Sequence, residues 1–211
     1  ALAFESVPKR LVVVGAGAIG LELGSVWRRL GAEVTVVEMM PQIVPHADKQ
    51  AAKMLQRALK KLNLDIRLET QVTGVEPGDD GVKIFLKDRK DQEETLEADR
   101  VLVAVGRKPC IEGLGLEDVG VHLDDRGRVK VDDHFATSVR GVYAIGDLIH
   151  GPMLAHKASE EGVAVVEMLA GKPGHVNYDA IPNVVYTWPE LASVGRSEEQ
   201  VKEAGEPYKV G

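Results

Sequence analysis

Three glycines near the start of the chain have the spacing of a phosphate-binding turn. Gly15, Gly17 and Gly20 form the pattern G-x-G-x-x-G, directly after the apolar residues 11–14. In such a turn the first glycine allows a tight bend, the second lets the backbone approach a diphosphate, and the third allows close packing of helix on strand. The N–H groups of the following helix then face the phosphates. The pattern therefore indicates a dinucleotide site, and the alternative is a tight turn without a ligand.

An acidic residue stands where such a site needs one. Glu38 ends the apolar run of residues 34–38, about 20 residues beyond the glycines. A carboxylate at this point accepts hydrogen bonds from the ribose hydroxyls of NAD and repels the 2′-phosphate of NADP. Residues 39–42 contain no cation that would hold that phosphate. We therefore expect NAD(H) rather than NADP(H), and the alternative is that Glu38 is a solvated carboxylate.

Two further strand ends carry candidate ligand contacts. Gly106 follows the apolar residues 101–105, and Asp147 follows Gly146 after another apolar run. Ligands bind at the carboxyl edge of an α/β sheet, so the backbone of Gly106 is a candidate nucleotide contact; the alternative is a simple strand-to-loop turn. Asp147 also has two interpretations, because its carboxylate can bind a sugar-like hydroxyl or its own backbone in a turn.

The remaining candidates lie on predicted helices. The last long helix is predicted to open at the residues Met153, Leu154, Ala155 and His156. Free N–H groups at such an opening can meet an anionic or electron-rich ligand, although a single histidine there is more often structural than catalytic. Glu22, on the first helix, is either solvated or paired with a cation from another part of the fold.

The elements around the glycines predict an α/β fold of the Rossmann type. A strand over residues 11–14, a helix over 21–30 and a strand over 34–38 fit the size of a βαβ unit, about 30 residues. A second helix is predicted over residues 47–62, where apolar residues recur at helical spacing. Further strands are predicted over residues 66–69, 71–76, 82–86 and 101–105.

A change of composition predicts a domain boundary near Pro109, where glycine-rich irregular chain begins. Beyond it we predict a strand that ends in the Gly-Asp turn at residues 146–147 and a helix over residues 154–169. Residues 184–187 and 191–194 are predicted to begin a different sheet. Ser197 is predicted to cap a final helix, with Gln200 as its capping-box partner.

Composition excludes several classes of function. Apolar residues make up 44% and charged residues 28% of the 211 residues, and the net charge is −7 without a basic block. Nucleic acid and anionic membranes are therefore not expected as partners. No apolar run approaches the roughly 20 residues that cross a bilayer. The single cysteine, Cys110, cannot form an internal disulfide or a structural zinc site, so no metal is expected.

Six stretches, taken together and in order, resemble the pyridine nucleotide-disulfide oxidoreductase family. They are residues 11–24, 34–38, 101–109, 141–147, 153–162 and 181–195. Within the family they most resemble the dihydrolipoamide dehydrogenases, since Glu38 together with MLAHKASEEG (153–162) favours that group over the NADPH-dependent glutathione reductases. Mercuric reductase and soluble transhydrogenase remain alternatives.

The resemblance implies two cofactors, NAD and FAD, and assigns residues to each. The NAD site would be lined by Gly15, Ala16, Gly17, Ala18, Ile19, Gly20, Leu21 and Glu22. Glu38 would hold the adenosine ribose, while Val72 and Gly106 would touch the nucleotide. Asp147 would bind the ribityl chain of FAD, and Glu22 would pair near the flavin with a lysine of the FAD domain. The residues under the flavin would be Met153, Leu154, Ala155 and His156.

Some features of the family have no counterpart in this sequence. Its redox-active cysteine pair and its catalytic His-Glu pair are absent, and Cys110 lies in the wrong motif to substitute. Trp188 stands where the family often has histidine. We therefore expect no catalytic residue here and an internal fragment with three parts. These are an NAD-binding domain (9–108), a central segment of the FAD-binding domain (109–174) and the beginning of an α+β interface domain (175–211).

The implied activity belongs to an intact parent enzyme. It would oxidise dihydrolipoyl groups and pass hydride through FAD to NAD⁺, as a homodimer within a 2-oxo acid dehydrogenase complex. The bacterial cytoplasm and the mitochondrial matrix both fit. The fragment alone is expected to be inactive, and the alternative function is an NAD-binding module without catalysis.

Overall fold

The computed structural model describes residues 1–210 and divides them into two compact units. One unit contains residues 1–106 together with the segment from residue 182 onward, and the other contains residues 107–181. Among the described helices, none is both long enough and apolar enough to span a bilayer.

The glycine turn joins the first strand to the first helix. Strand β1 spans Arg10–Val14, helix α1 spans Ala18–Arg29 and strand β2 spans Glu33–Val37. Strands β1 and β2 pair in parallel, with Val13 opposite Val36. The predicted βαβ unit is confirmed, although α1 begins three residues before the predicted start at residue 21.

A second helix and a third strand extend this arrangement. Helix α2 spans Lys49–Lys61, and strand β3, Asp65–Arg67, pairs in parallel with β2. Asp48 caps α2, because its side chain accepts hydrogen bonds from the N–H groups of Gln50 and Ala51. The apolar sides of both helices pack on one face of the sheet, in a core that includes Leu21, Leu55 and Leu59.

An antiparallel sheet covers the other face. Strands β4 (Thr70–Gly78), β5 (Gly81–Asp88) and β6 (Glu93–Ala98) lie side by side in chain order. Ile84 and Leu86 of this sheet share a core cluster with Val12 of β1 and Val37 of β2. Strand β1 is therefore covered on both faces, which explains its continuous apolar sequence.

Strand β7, Arg100–Val103, completes the parallel sheet in the order β3-β2-β1-β7. The prediction of a buried strand over residues 101–105 was wrong in length and in burial. The strand ends at Val103, whose surface is 65% exposed, and Val105 beyond it is 71% exposed. Because β7 lies at the edge of the sheet, it has a neighbouring strand on one side only.

The second unit contains less regular structure. Helix α3, Ala155–Leu169, confirms the predicted helix over residues 154–169. The predicted strand before the Gly-Asp turn was wrong, since Tyr143 forms only an isolated bridge to Ala136 and Gly146–Leu148 is a 3-10 helix. The apolar residues of this stretch instead pack into a small core with the inner side of α3.

Residues 182–210 pack against the rest of the first unit. Strands β8 (Asn183–Val185) and β9 (Leu191–Ser193) form a separate two-stranded sheet, as predicted, and Val185 and Leu191 join the core beneath α1 and α2. Helix α4 spans Glu198–Glu203, and the predicted capping box of Ser197 and Gln200 is present.

Candidate dinucleotide site and family membership

Two glycines of the turn are required by contacts with backbone. Gly15 has a φ of +103°, and a Cβ atom there would lie 2.4 Å from the carbonyl oxygen of Ala104. A Cβ atom on Gly20 would lie 2.0 Å from the carbonyl oxygen of Gly15 and 3.2 Å from Cγ1 of Val13. Glycine at position 20 is therefore required mainly by the close approach of the Gly15 carbonyl group. The predicted packing of the helix on the strand, through Val13, is the less severe restriction.

No contact within residues 1–210 requires glycine at position 17. A Cβ atom on Gly17 would meet none of their atoms within 4 Å, and its φ of −74° suits any residue. The open space beside Gly17 lies in a cleft, so this glycine leaves room for a group from outside the chain to approach the backbone.

The opening of α1 has the electrostatic character of an anion site. Gly17 caps the helix without a side-chain hydrogen bond, and the first turn contains no acidic residue. The first N–H groups of a helix have no acceptor within it, and the helix dipole adds partial positive charge at this end. This end of α1 is therefore suited to a phosphate.

Glu38 is fixed beside the glycine turn. Its Oε2 atom accepts a hydrogen bond of 2.7 Å from the N–H of Ala16, and its Oε1 atom accepts one of 2.8 Å from the N–H of Met40. The residue is only 7% exposed, so the alternative of a solvated carboxylate was wrong. Each carboxylate oxygen has a second lone pair, so both can still accept from a ligand hydroxyl.

A cleft of about 520 Å³ brings the candidates of the first unit together at the carboxyl ends of β1, β2 and β7. Gly15, Gly17, Glu38, Val72 and Gly106 all line it, as expected for a nucleotide site. Sequence reasoning missed the remaining lining residues, which are Val14, Val37, Met39, Met40, Pro45, His46, Thr70, Gln71, Ala104 and Val105. The usable signal was adjacency to a predicted site residue, as for Val14 beside Gly15 and Met39 beside Glu38.

Other residues assigned to this site do not line the cleft. Ala16 is buried and contributes its N–H to Glu38. Leu21 is buried in the core under α1. Ala18, Ile19 and Gly20 belong to the first turn of α1 and do not line the cleft. Their binding role remains a prediction.

The carboxylate of Glu22 accepts a hydrogen bond from the backbone of a distant residue. Its Oε1 atom accepts a hydrogen bond of 2.9 Å from the N–H of Tyr186, just after β8. The carboxylate of Glu22 thus joins α1 to the segment that follows residue 182, and its expected pairing with a lysine of another domain remains a prediction.

In the second unit, Asp147 pairs with a cation. Its Oδ2 atom lies 3.0 Å from a guanidinium nitrogen of Arg107, a partner that neither interpretation of the sequence anticipated. Helix α3 begins at Ala155 with Leu154 as its N-cap, and no side chain caps it. Met153 thus lies just before the helix and His156 in its first turn, and the expected binding role of this opening remains a prediction.

A buried polar cluster behind the Gly-Asp turn was missed. Lys157 and Glu161 are both 0% exposed, and their charged groups lie 2.9 Å apart. Tyr178 donates a hydrogen bond of 2.8 Å to Glu161. Burial, together with that carboxylate, raises the pKa of the Tyr178 hydroxyl. The signal was present, since a lysine and a glutamate four residues apart share the inner face of α3.

Comparison with known proteins places this fold and cleft in a family. The profile of the family described as pyridine nucleotide-disulphide oxidoreductase matches residues 1–162. The chain belongs to this family. The resemblance found in the sequence is therefore confirmed.

Its relatives in the family include named enzymes. The chain is 57% identical over 212 residues to a mitochondrial dihydrolipoyl dehydrogenase of Pisum sativum, covering 100% of this chain and 42% of that protein. It is 51% identical over 211 residues to a dihydrolipoyl dehydrogenase of Cupriavidus necator, covering 100% of this chain and 44% of the relative. The chain thus spans less than half the length of these family members.

A solved structure of a flavoprotein shares the fold. The HOCl-induced flavoprotein disulfide reductase RclA from Escherichia coli superimposes with a TM-score of 0.87 at 27% sequence identity, covering 97% of this chain and 46% of that chain. The predicted α/β, Rossmann-like fold class is thereby confirmed.

Proposed function

We propose that this chain is the NAD(H)-binding portion of a flavin-dependent dihydrolipoamide dehydrogenase, an enzyme that oxidises dihydrolipoyl groups and passes hydride through FAD to NAD⁺. The observation that carries the proposal is the carboxylate of Glu38, held at the edge of the cleft beside the glycine turn. Two relatives named dihydrolipoyl dehydrogenase, at 57% and 51% identity, support the choice of substrate class.

The residues of the cleft fit the parts of NAD(H). The diphosphate would lie against Gly17 and the opening of α1, where a side chain would otherwise fill the space. The hydroxyl groups of the adenosine ribose would donate hydrogen bonds to the carboxylate of Glu38. A 2′-phosphate would replace one of these donors and would be repelled by the carboxylate. Val72 and Gly106, on the cleft wall, would contact the remainder of the nucleotide.

The second unit fits part of a flavin site. Asp147 would accept hydrogen bonds from the ribityl hydroxyls. The positive end of the α3 dipole, at the opening from Met153 to His156, would stabilise negative charge at the pyrimidine end of the ring. When bound, the flavin would supply the hydride chemistry, while the chain supplies binding and orientation.

The domain assignment is part of the proposal. Residues 9–108 would form the NAD-binding domain, 109–174 the central segment of the FAD-binding domain, and 175–211 the start of the interface domain. The two compact units support a boundary close to residue 107. In the intact enzyme we propose a homodimer within a 2-oxo acid dehydrogenase complex, in a bacterial cytoplasm or a mitochondrial matrix.

Calorimetric titration of the purified chain tests the cofactor assignment. We expect NADH to bind and NADPH to bind at least tenfold more weakly, because Glu38 would face the 2′-phosphate. Equal affinity for the two nucleotides would contradict the ribose assignment. Failure of both to bind would contradict the cleft as a nucleotide site.

A second candidate is an NAD-binding module without catalysis. It is favoured by one observation: every residue that lines the cleft belongs to the first unit. The visible spectrum of the purified chain separates the two candidates, since bound FAD gives a yellow product and the bare module a colourless one.

The chain by itself is expected to lack dithiol oxidation. Its one cysteine, Cys110, is exposed and cannot form a redox-active pair within the chain. Reduction of NAD⁺ by dihydrolipoamide, with no other polypeptide present, would contradict this expectation.

A further inference from the structure

A polar network is buried on the inner face of α3. The Nζ atom of Lys157 lies 2.9 Å from Oε1 of Glu161, and both side chains are wholly buried. The hydroxyl of Tyr178 donates to the same Oε1 atom at 2.8 Å. Lys157 and Glu161 are buried, whereas Tyr178 is 48% exposed. None of the three residues lines the nucleotide cleft.

The lysine and the glutamate together hold both polar groups of one residue. The N–H of Gly146 donates a hydrogen bond of 2.6 Å to Oε2 of Glu161, and Nζ of Lys157 donates one of 3.1 Å to the carbonyl oxygen of Gly146. Gly146 has a φ of +72°, in the left-handed region. The carboxylate of Glu161 accepts from the N–H of Gly146, and the ammonium group of Lys157 donates to its carbonyl oxygen. Exchanging the two charged residues would therefore break both hydrogen bonds.

The backbone around the network is shaped to admit it. A Cβ atom on Gly151 would lie 2.7 Å from Cε of Lys157, and one on Gly146 would lie 3.1 Å from Cβ of Ala158. Glycine at these two positions lets the lysine reach Gly146 and lets Gly146 approach α3. The absence of a side chain at Gly146 and at Gly151 therefore makes room for the contact between Lys157 and Gly146.

Stability alone does not account for a charged pair at this position. Replacing a buried ion pair with apolar side chains of similar size is often neutral or stabilising, because the cost of desolvation can exceed the attraction. The specific contact that these two charges make is with the polar backbone groups of Gly146, and Asp147 is the next residue.

We propose that Lys157 and Glu161 are positioning residues that fix Gly146 and thereby aim the carboxylate of Asp147 at a polyhydroxyl ligand. This rests on the proposed contact between Asp147 and the ribityl chain of FAD. Without the two bonds to Gly146, the turn would sample other conformations, and Asp147 would be held only by its ion pair with Arg107. Ligand affinity would then fall, because the carboxylate must be ordered at the moment of binding.

The test compares two double variants of the full-length enzyme proposed above. Lys157→Met with Glu161→Leu removes both bonds to Gly146 and leaves no unpaired buried charge. Lys157→Met with Glu161→Gln retains an oxygen that can accept from the N–H of Gly146. Glu160→Gln, an exposed change on the same helix, is the matched control. The measurements are the Kd of FAD by flavin fluorescence, the exchange rate of the Gly146 amide hydrogen, and Tm.

We expect the Met–Leu variant to bind FAD at least tenfold more weakly and to exchange the Gly146 amide at least tenfold faster. Its Tm should also fall, because the N–H and the carbonyl oxygen of Gly146 lose their partners. The Met–Gln variant loses the bond from Lys157 but keeps an acceptor for the N–H of Gly146, so it should lie between the parent and the Met–Leu variant in both measurements. A role in packing alone would give the same result for Leu and Gln. If the Met–Leu variant does not fold, Tyr178→Phe, which loosens Glu161 only, should still speed Gly146 exchange and weaken FAD binding severalfold.

One further variant separates this inference from the proposed function. Asp147→Ala should weaken FAD binding and leave Gly146 exchange unchanged. Unchanged FAD affinity in Asp147→Ala would overturn the proposed flavin contact. Weak binding in Asp147→Ala together with parental FAD binding and Gly146 exchange in the Met–Leu variant would overturn the positioning role.

Discussion

The N–H of Ala16 donates a hydrogen bond of 2.7 Å to Oε2 of Glu38. This bond ties the end of β2 to the middle of the glycine turn. The group suited to a ribose and the helix opening suited to a diphosphate are therefore held at a fixed separation before any ligand arrives. Such preorganisation lowers the entropic cost of binding a dinucleotide.

Removing the Glu38 carboxylate should affect binding more than any other single change in the cleft. Hydrogen bonds to charged groups contribute roughly 1.5–3 kcal/mol each, so Glu38→Ala should weaken NADH binding by about tenfold or more. The variant also leaves the N–H of Ala16 without its acceptor, so its unfolding free energy should fall by about 1–3 kcal/mol. Calorimetry with NADH and urea unfolding measure the two effects.

Glu33 provides the matched control for that experiment. It lies at the other end of β2 and is exposed, so Glu33→Ala removes the same charge from the same strand without touching the cleft. Its NADH affinity should equal that of the parent chain. An equal loss in both variants would mean that net charge, and not the ribose contact, determines affinity.

Replacing the negative charge near the ribose with a positive one should shift the preference of the cleft from NADH toward NADPH. Met39 lines the cleft beside Glu38 and is exposed. In Glu38→Ala with Met39→Arg, the repulsion of a 2′-phosphate is removed and a guanidinium suited to it is added. We expect NADPH to bind at least as tightly as NADH, by calorimetry at low and high salt. The NADPH affinity should fall steeply with salt, and NADPH binding no tighter than in the parent would contradict the assignment.

Alanine substitutions at two glycines of the turn should have different effects, one on NADH affinity and the other on stability. Gly17→Ala adds a methyl group to open space in the cleft, so stability should change by less than about 1 kcal/mol while NADH binding weakens by about tenfold. Gly20→Ala places a Cβ atom 2.0 Å from a carbonyl oxygen and should cost about 1–3 kcal/mol or more. That cost corresponds to a fall in Tm of roughly 2–12 °C for a chain of this size.

Gly24 supplies the control on the same helix. A Cβ atom there would meet its nearest side chains at 3.6 Å, an ordinary contact. Gly24→Ala should therefore leave NADH affinity unchanged and raise stability by up to about 1 kcal/mol, through the higher helix propensity of alanine. A large loss of NADH binding in Gly24→Ala would show that the effects of Gly17→Ala are not specific to the cleft.

Asp48 should make stability depend on pH. Its Oδ1 atom caps α2, and its Oδ2 atom accepts a hydrogen bond of 3.2 Å from the N–H of Glu198, at the start of α4. Hydrogen bonds from the N–H groups of Ala51, Glu198 and Gln50 lower the pKa of Asp48. A carboxyl with a lowered pKa in the folded state stabilises the fold above its unfolded pKa of about 3.9, and this contribution is lost as the pH falls through the folded value.

Asp48→Asn isolates that contribution. The amide oxygen can still cap α2, but the charge is absent, so the variant should be less stable than the parent at pH 7. The difference should shrink as the pH is lowered below about 4. Urea unfolding at a series of pH values measures it. A difference that stays constant down to pH 3 would mean that the charge of Asp48 contributes nothing.

The sequence was informative where function depends on neighbouring residues. The glycine spacing, the strand before it and Glu38 after it all belong to one βαβ unit, so their proximity follows from a short crossover. The capping box at Ser197 and the helix over residues 155–169 are likewise local, because hydrogen bonds between residues three or four apart determine them.

Predictions failed where distant contacts decide the outcome. The apolar residues before Gly146 have strand-like composition, yet within residues 1–210 this stretch pairs only through the single bridge at Tyr143. Val103 and Val105 are apolar, yet Val103 ends the edge strand β7, Val105 lies beyond it, and both are exposed. Composition reports what a segment can form, whereas pairing depends on which partners the fold supplies.

The sequence by itself therefore determined the family, the fold class and the position of the glycine turn, since these depend on local spacing and residue type. Only the tertiary structure showed that Glu38 is anchored by the N–H of Ala16, and that Lys157 and Glu161 meet both polar groups of Gly146. Those contacts join residues whose backbones approach only after helices and strands have packed. No periodicity along the chain records such an approach, because the geometry of packing decides it.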